Sequence, residues 1–402
     1  MSNETNISRL TGKVQHYQWG GFDYIPQLLH ITNNRHEPFA EFWLGAHVNG
    51  PAQLENGESL HDLIEKNPAY LGPAVQQQFG RLPYLLKILD VKDMLSIQVH
   101  PNKKAAITEF ANENKNGVML NAPNRNYKDD NHKPELMTAL SDFWLLHGFQ
   151  PANQLTATIA KVPEFDFMLP VFEKDNYKAL YELVMTMEQS RVNAVLQPLL
   201  NRIIPLYQAG KLDKNGPDFW AARAALTFNA GDKVDRGIFS VYLFNIVYLK
   251  KGEAVFQDAG ILHAYLEGQN VEIMANSDNV LRGGLTPKHI DVPELMKHVV
   301  FEPITPNIIH GIATSETERV FLTPAPDFEL RKITLAANES CRLTISTVDI
   351  FLLLHGLVEA GNGGGASAFK KGEAFMAVNG ATISIHATEA AEIYRATVPV
   401  KR

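Results

Sequence analysis

The sequence holds a single cysteine, Cys341, in 402 residues. An internal disulfide is impossible, and a zinc site built from several cysteines is excluded. Cys341 lies in an apolar stretch and reads as a small buried residue. Any metal must be held by His, Asp, Glu or an amide oxygen. Long hydrophobic runs are also missing. YLLKILDV and IFLLLHGLV are too short or too interrupted to span a bilayer. The opening MSNETNISRLTG is polar and has no apolar centre, so no signal peptide is expected and the protein is expected to be cytoplasmic. Positive charge is in deficit, with 37 basic against 44 acidic residues and a formal net charge of -7. That balance gives no electrostatic reason to bind nucleic acid or an acidic membrane. An anionic ligand must instead be met by a local group of Lys and Arg.

What is present is ordinary for a globular chain: 45% hydrophobic and 20% charged residues. At roughly 150 residues per domain, the length allows two or three domains. A chain this long buries enough apolar surface to fold without a staple, so a metal here would be catalytic. Short strands with turns fill the first 100 residues. LPYLLKILD (82–90) reads as a buried strand or short helix, and LSIQVHP (95–101) as a strand stopped by Pro101. Residues 103–110 suggest one or two helical turns, and 111–134 a long loop. Residues 151–230 carry apolar side chains three and four apart and read as a helical insertion. IFSVYLFNIVYLKKGEAVFQDAG reads as strand, turn at Lys251–Gly252, strand. From 321 to 402 the pattern is strands and turns. KKGEA occurs at 250 and again at 370, each time as the turn before a strand.

Several residues carry chemistry. Gln98 and His100 are two apart in a strand and share one face. HKPE brings His132 and Glu135 on either side of Lys133 and Pro134. GILHAYLEG sets His263 in an apolar stretch. Two imidazoles, a carboxylate and an amide oxygen make a four-ligand zinc shell. Without the amide, the set resembles the two-His-one-carboxylate site of iron oxygenases. Satisfied polar groups on unrelated strands are the third possibility.

Six stretches add a resemblance: HYQWGG (16–21), PFAEFWLGAHVNGP (38–51), LPYLLKILDVKDMLSIQVHP (82–101), HKPE (132–135), GILHAYLEG (260–268) and NSDNVLRGGLTPKHIDV (276–292). In this order they resemble type I mannose-6-phosphate isomerases. The resemblance implies a mainly β, double-cupin fold of β-barrel or jelly-roll domains. The catalytic cupin domain would span 1–150 and 231–320, with the 151–230 helices inserted and a C-terminal β-domain at 321–402. It implies one Zn2+ per chain on Gln98, His100, Glu135 and His263, sugar phosphates as small-molecule partners, and a monomer. This sequence departs from the family's usual residues at Gln18, Asn102, Asp258 and Gly283, none of them a ligand.

The implied reaction interconverts mannose 6-phosphate and fructose 6-phosphate by proton transfer between C2 and C1 through a cis-enediol(ate). Lys133, Arg282 and Lys288 are the candidate cations for the developing charge or the phosphate. Lys87 and Ser96 would complete the phosphate pocket, and Trp19 would form a wall for the sugar. For the proton carrier the order is Glu272, Lys133, His132, with Tyr265 a further rival. A non-catalytic sugar-phosphate-binding cupin and an iron-dependent cupin oxygenase are the alternatives.

Overall fold

The structure is a computed structural model that describes residues 7–399. Its centre is the strand His263–Ala275, 13 residues long. One end pairs with Tyr84–Val91 and Glu135–Ala139, the other with Ile97–Val99 and Phe143–Phe149. Between the two ends the register shifts at Tyr265 and Glu267. A bulge of this kind bends a strand and re-aims its side chains. Among the described residues ten further strands join it in one sheet, beside a second sheet of eight and a third of four.

The double-cupin expectation is not met. Among the described residues no sheet closes into a barrel. The eight-stranded sheet runs as an open path from Ile312–Ala313 to Gln53–Leu54, and the main path of the eleven-stranded sheet from Ile309–His310 to Lys13–Gln15. The physical reason lies in the central strand. It gives its edges to four partners and forks the sheet instead of rolling it. Nor is the fold mainly β. Helices Ala152–Ala160, Tyr177–Thr186, Gln189–Gln208, Pro217–Phe228 and Gly237–Leu243 make it mixed α/β.

The first four of those helices are amphipathic and bury one stripe each. Leu155, Leu180, Leu196, Trp220 and Phe239 share an apolar core with Ile97, Val99, Leu146, Ala264 and Leu266 from the strands. A second core joins the strands around Tyr84 to the C-terminal sheet, with Leu44, Ile88, Leu136 and Ile273 beside Phe328, Leu330, Ile350 and Leu352. Chain order is crossed here, because the first strand, Ile7–Thr11, pairs with Ala374–Ala377. Tyr84 Oη fastens the junction, close to both the Val348 carbonyl (2.9 Å) and the Ala396 carbonyl (3.0 Å). Among the described residues no helix is long and apolar enough to cross a membrane.

Three local readings change. The helix after Pro101 runs from Lys103 to Lys115, because Asn102 caps it by accepting from the Ala105 N–H at 2.9 Å. IFSVYL is helical, and the strand begins only at Phe244. Gly237–Leu243 is buried throughout, and a wholly apolar run has no period to tell helix from strand. Cys341 is half-buried. The two KKGEA phrases form the same turn. Glu253 accepts from the Lys250 N–H at 2.8 Å and Glu373 from the Lys370 N–H at 3.0 Å. Gly252 and Gly372 both take positive φ, of 91° and 85°, which explains their shared glycine.

The eight-stranded sheet carries a buried charge network. The Arg395 guanidinium donates to Asp349 (2.6 Å) and Glu318 (2.9 Å), and Thr397 donates to Asp349 at 2.6 Å. Asp349 is fully buried. Arg395→Met leaves the buried Asp349 without its cation, although Glu318 keeps Arg331 at 2.6 Å, and should cost about 3–5 kcal/mol, read as a lower urea midpoint. An unchanged midpoint would show that the network adds nothing to stability.

Candidate active site

Strand alternation aims the functional side chains. Ile97 and Val99 enter the helical core, so Gln98 and His100 face the other way. Leu262, Ala264 and Leu266 enter the same core, which turns His263 and Tyr265 away from it. Gln98 lies opposite His263 on one neighbouring strand and opposite Arg282 on the other.

His100, Glu135 and His263 converge, all buried. His100 Nε2 lies 3.5 Å from Glu135 Oε1, and His263 Nε2 lies 3.4 Å from Glu135 Oε2. These separations are long for hydrogen bonds, and neither Nε2 has a hydrogen-bond partner. The opposite ring nitrogens are occupied. His100 Nδ1 donates to the Asn279 carbonyl at 2.8 Å, and His263 Nδ1 to the Ile261 carbonyl at 2.9 Å. A carbonyl can only accept, so the proton sits on Nδ1 and the Nε2 lone pair faces Glu135. Bare lone pairs facing a buried carboxylate are costly without a cation between them. The donor set therefore fits a divalent metal with a mixed N/O shell, to which the amide of Gln98 can add.

Electrostatics agree. Burial pushes His100 down to about 4, so its ring is neutral, as a metal ligand must be. Burial would raise Glu135, but the Lys133 ammonium at 2.8 Å outweighs it and holds the carboxyl well below its usual range. Behind His100, Asn279 is locked in place. Its amide donates to the carbonyls of Asp129 and Asn131, each at 2.8 Å, and its Oδ1 accepts from the Lys128 N–H at 2.7 Å.

A second buried cluster lies on the same sheet. Lys87 is opposite Trp43 and Glu272 in register, and Glu272 is opposite Met137, two residues along from Glu135. Side chains two apart share a face, so Glu272 and Lys87 join Glu135 on one side of the sheet. Lys87 Nζ is 3.2 Å from Glu272 Oε2 and 3.6 Å from Glu41 Oε2. Tyr265 donates to Glu272 Oε1 at 2.8 Å, and the Trp43 indole donates to Glu41. Burial, and then the charge of Glu135, raise Glu272 above its ordinary value. Lys87 is raised too: burial opposes its charge, but Glu41 and Glu272 prevail.

Cations stand nearby. Arg282 is half-buried, and burial alone lowers it; no carboxylate is paired with it among the described residues. Lys288 and Lys128 are lowered by burial and also by cationic repulsion that includes Arg282. Such a group suits an anion. A cleft of about 1450 Å³ opens next to it, lined by His47, Asn49, Lys128, Asp129 and Asp278 among others.

Comparison with known proteins gives this arrangement a family. Residues 7–152 match the family model for the phosphomannose isomerase type I catalytic domain. Mannose-6-phosphate isomerase of Salmonella typhimurium is 39% identical over 347 residues, 83% of this chain and 85% of that protein. The Escherichia coli enzyme is 34% identical over 393 residues, 94% of this chain and 97% of that protein. This chain belongs to the type I mannose-6-phosphate isomerase family. A solved structure of the Salmonella typhimurium isomerase bound to its substrate and to zinc superposes with a TM-score of 0.87 at 33% identity, covering 98% of this chain and 100% of that one.

Within this isomerase fold, the residues singled out from sequence separate into groups. Gln98, His100, Glu135, His263 and Lys133 meet at the centre just described. Lys87, Glu272 and Tyr265 form the adjoining cluster. Arg282 flanks Gln98, and Lys288 lies exposed within its field. Trp19 is half-buried and packs on the apolar cluster that contains Tyr265. Ser96 is half-buried just ahead of the Gln98 strand. His132 has its Nε2 held by Asp327 Oδ2 at 2.8 Å. Sequence reasoning did not single out Glu41, Trp43, Asn279 or the pair His47–Asp278, which lie 3.2 Å apart. All fall inside the quoted family stretches, which was the available signal. Gly283 has a local cause, since a Cβ there would lie 2.6 Å from Tyr181 Oη.

Burial pushes His147, as well as His100, down to about 4 from 6.5. Both therefore fold neutral, and protons favour the unfolded chain as pH falls below 6.5. The stability they protect is complete above 6.5 and is lost progressively towards 4. Thermal melts of metal-free protein should show Tm falling as pH drops through this window. A flat Tm there would contradict neutral burial.

Proposed function

We propose that this chain interconverts mannose 6-phosphate and fructose 6-phosphate by moving a proton between C2 and C1 through a cis-enediol(ate). The observation that carries this reading is the pair of unpartnered imidazole nitrogens facing Glu135, next to the buried Glu272–Lys87 cluster. The relatives named above are isomerases, which favours isomerisation over oxygenation or binding alone.

One zinc per chain would be held by His100, Glu135 and His263, with Gln98 as the fourth ligand. When bound, zinc supplies a Lewis acid that favours negative charge on substrate oxygens. Glu272 is assigned as the proton carrier. Burial raises it towards neutral pH, where a carboxylate is a better base. Lys87 and Tyr265 hold its two oxygens and fix its direction. Lys133 neutralises Glu135 and places an ammonium beside the ligands. Arg282, with Lys288, meets the phosphate, a dianion that a guanidinium grips through two donors. Ser96 completes that pocket, and Trp19 walls the sugar. In this reading residues 1–150 and 231–320 form the catalytic unit, 151–230 a helical insertion and 321–402 a C-terminal β-unit.

The test is formation of fructose 6-phosphate from mannose 6-phosphate by the zinc-loaded protein and by Glu272→Gln. The variant should lose about 10²–10⁴-fold in kcat with unchanged zinc content. Near-normal kcat in the variant would remove Glu272 as the carrier. No product from the unaltered protein would remove the isomerase reading itself.

A further inference from the structure

Asp327 is a buried carboxylate, 2% exposed, in the loop between the strands Glu318–Phe321 and Glu329–Leu335 of the C-terminal sheet. Buried carboxylates are expensive unless paired. Among the described residues no lysine or arginine neutralises this one; its partner is His132 Nε2, 2.8 Å away. The two residues are 195 apart in the chain. The next residue, Phe328, is 1% exposed and belongs to the same apolar core as Leu136, which directly follows Glu135. The loop therefore grips the HKPE segment through a hydrogen bond at its start and a shared core at its end.

That segment is already fixed on either side of His132 and Lys133. Asn131 donates its amide to the Asn276 carbonyl at 3.0 Å, and the Pro134 carbonyl accepts from the Ala275 N–H at 3.1 Å. What remains to be set is where the two side chains between these anchors point. Asp327 claims the His132 ring, and Lys133 is delivered to Glu135 Oε1 at 2.8 Å.

We propose that Asp327, supplied by the C-terminal β-unit, is a positioning residue for the active site: it holds His132 and thereby sets Lys133 against Glu135. This rests on the isomerase reading above. It gives the C-terminal unit a part in turnover, although among the described residues none of its own side chains lies in the metal-facing group. The effect passes through His132, so removing Asp327 should matter only while His132 is present.

The experiment measures kcat and KM for mannose 6-phosphate, zinc content and Tm in Asp327→Ala, Asp327→Asn, His132→Ala and the double variant Asp327→Ala/His132→Ala. Asp327→Ala should lower kcat roughly 10-fold or more while zinc content and KM stay near those of the unaltered protein. Asp327→Asn keeps an oxygen that can accept from the imidazole, and should recover kcat to within about threefold. In the His132→Ala background, removing Asp327 should cost nothing further, because the two act as a unit. Should Asp327→Ala fail to fold, Asp327→Ser, too short to reach the ring, takes its place with the same expectation. A kcat for Asp327→Ala within about twofold of the unaltered protein would overturn the proposal. So would losses that multiply in the double variant, or a fall in activity that only tracks lost zinc or lost fold. An unaltered protein that makes no fructose 6-phosphate would instead bring down the isomerase reading, a separate result.

Discussion

Two imidazole nitrogens, each within 3.5 Å of one buried carboxylate and sharing no proton with it, are the arrangement on which this structure depends. Left alone they would repel, and burial would favour protonating or separating them. They are held by groups one step further out. The carbonyls of Asn279 and Ile261 fix the tautomer and aim of each ring, and Lys133 balances Glu135. Asn279 is in turn bonded to the chain at Lys128, Asp129 and Asn131. The NSDN motif is thus a scaffold for His100, and its own contacts explain its composition.

The second cluster follows a different rule. Glu41, Lys87 and Glu272 place two carboxylates and one ammonium where water does not reach. Burial is the largest cause that raises Glu272, followed by the negative charge of Glu135, with Glu41 adding to it. A carboxyl buried among acids is raised above an exposed glutamate, and the hydroxyl of Tyr265 and the ammonium of Lys87 keep it in one orientation. The neighbouring Arg282, Lys288 and Lys128 lack this internal compensation, so that side of the site is left for an anion.

Much of the site was legible because strand alternation is a local rule. Gln98 and His100 share a face on any strand, and Ile97 and Val99 between and beside them show which face is dry. The convergence of His100, Glu135 and His263 was not written in spacing, since it depends on long-range pairing and on the register shift in the His263–Ala275 strand. The resemblance to a family supplied that step. It also carried the double-cupin expectation, which the forked, open sheets and the helices do not support. His132 illustrates a second limit. It is a candidate base beside Lys133 in the chain, and its partner, Asp327, was not legible because it comes from a part of the sequence with no catalytic motif. The IFSVYL helix was lost for a simpler reason, as a segment buried on every side shows no period.

The most direct test of the central claim is zinc stoichiometry and turnover measured together on one sample, first stripped with a chelator and then titrated with zinc. The account predicts that fructose 6-phosphate formation disappears on stripping and returns in proportion to bound zinc, reaching its plateau at one ion per chain. X-ray absorption at that point should show only nitrogen and oxygen neighbours, because the sequence has just one cysteine. Full turnover in protein shown to be free of metal, or a plateau that His263→Ala leaves untouched, would contradict it.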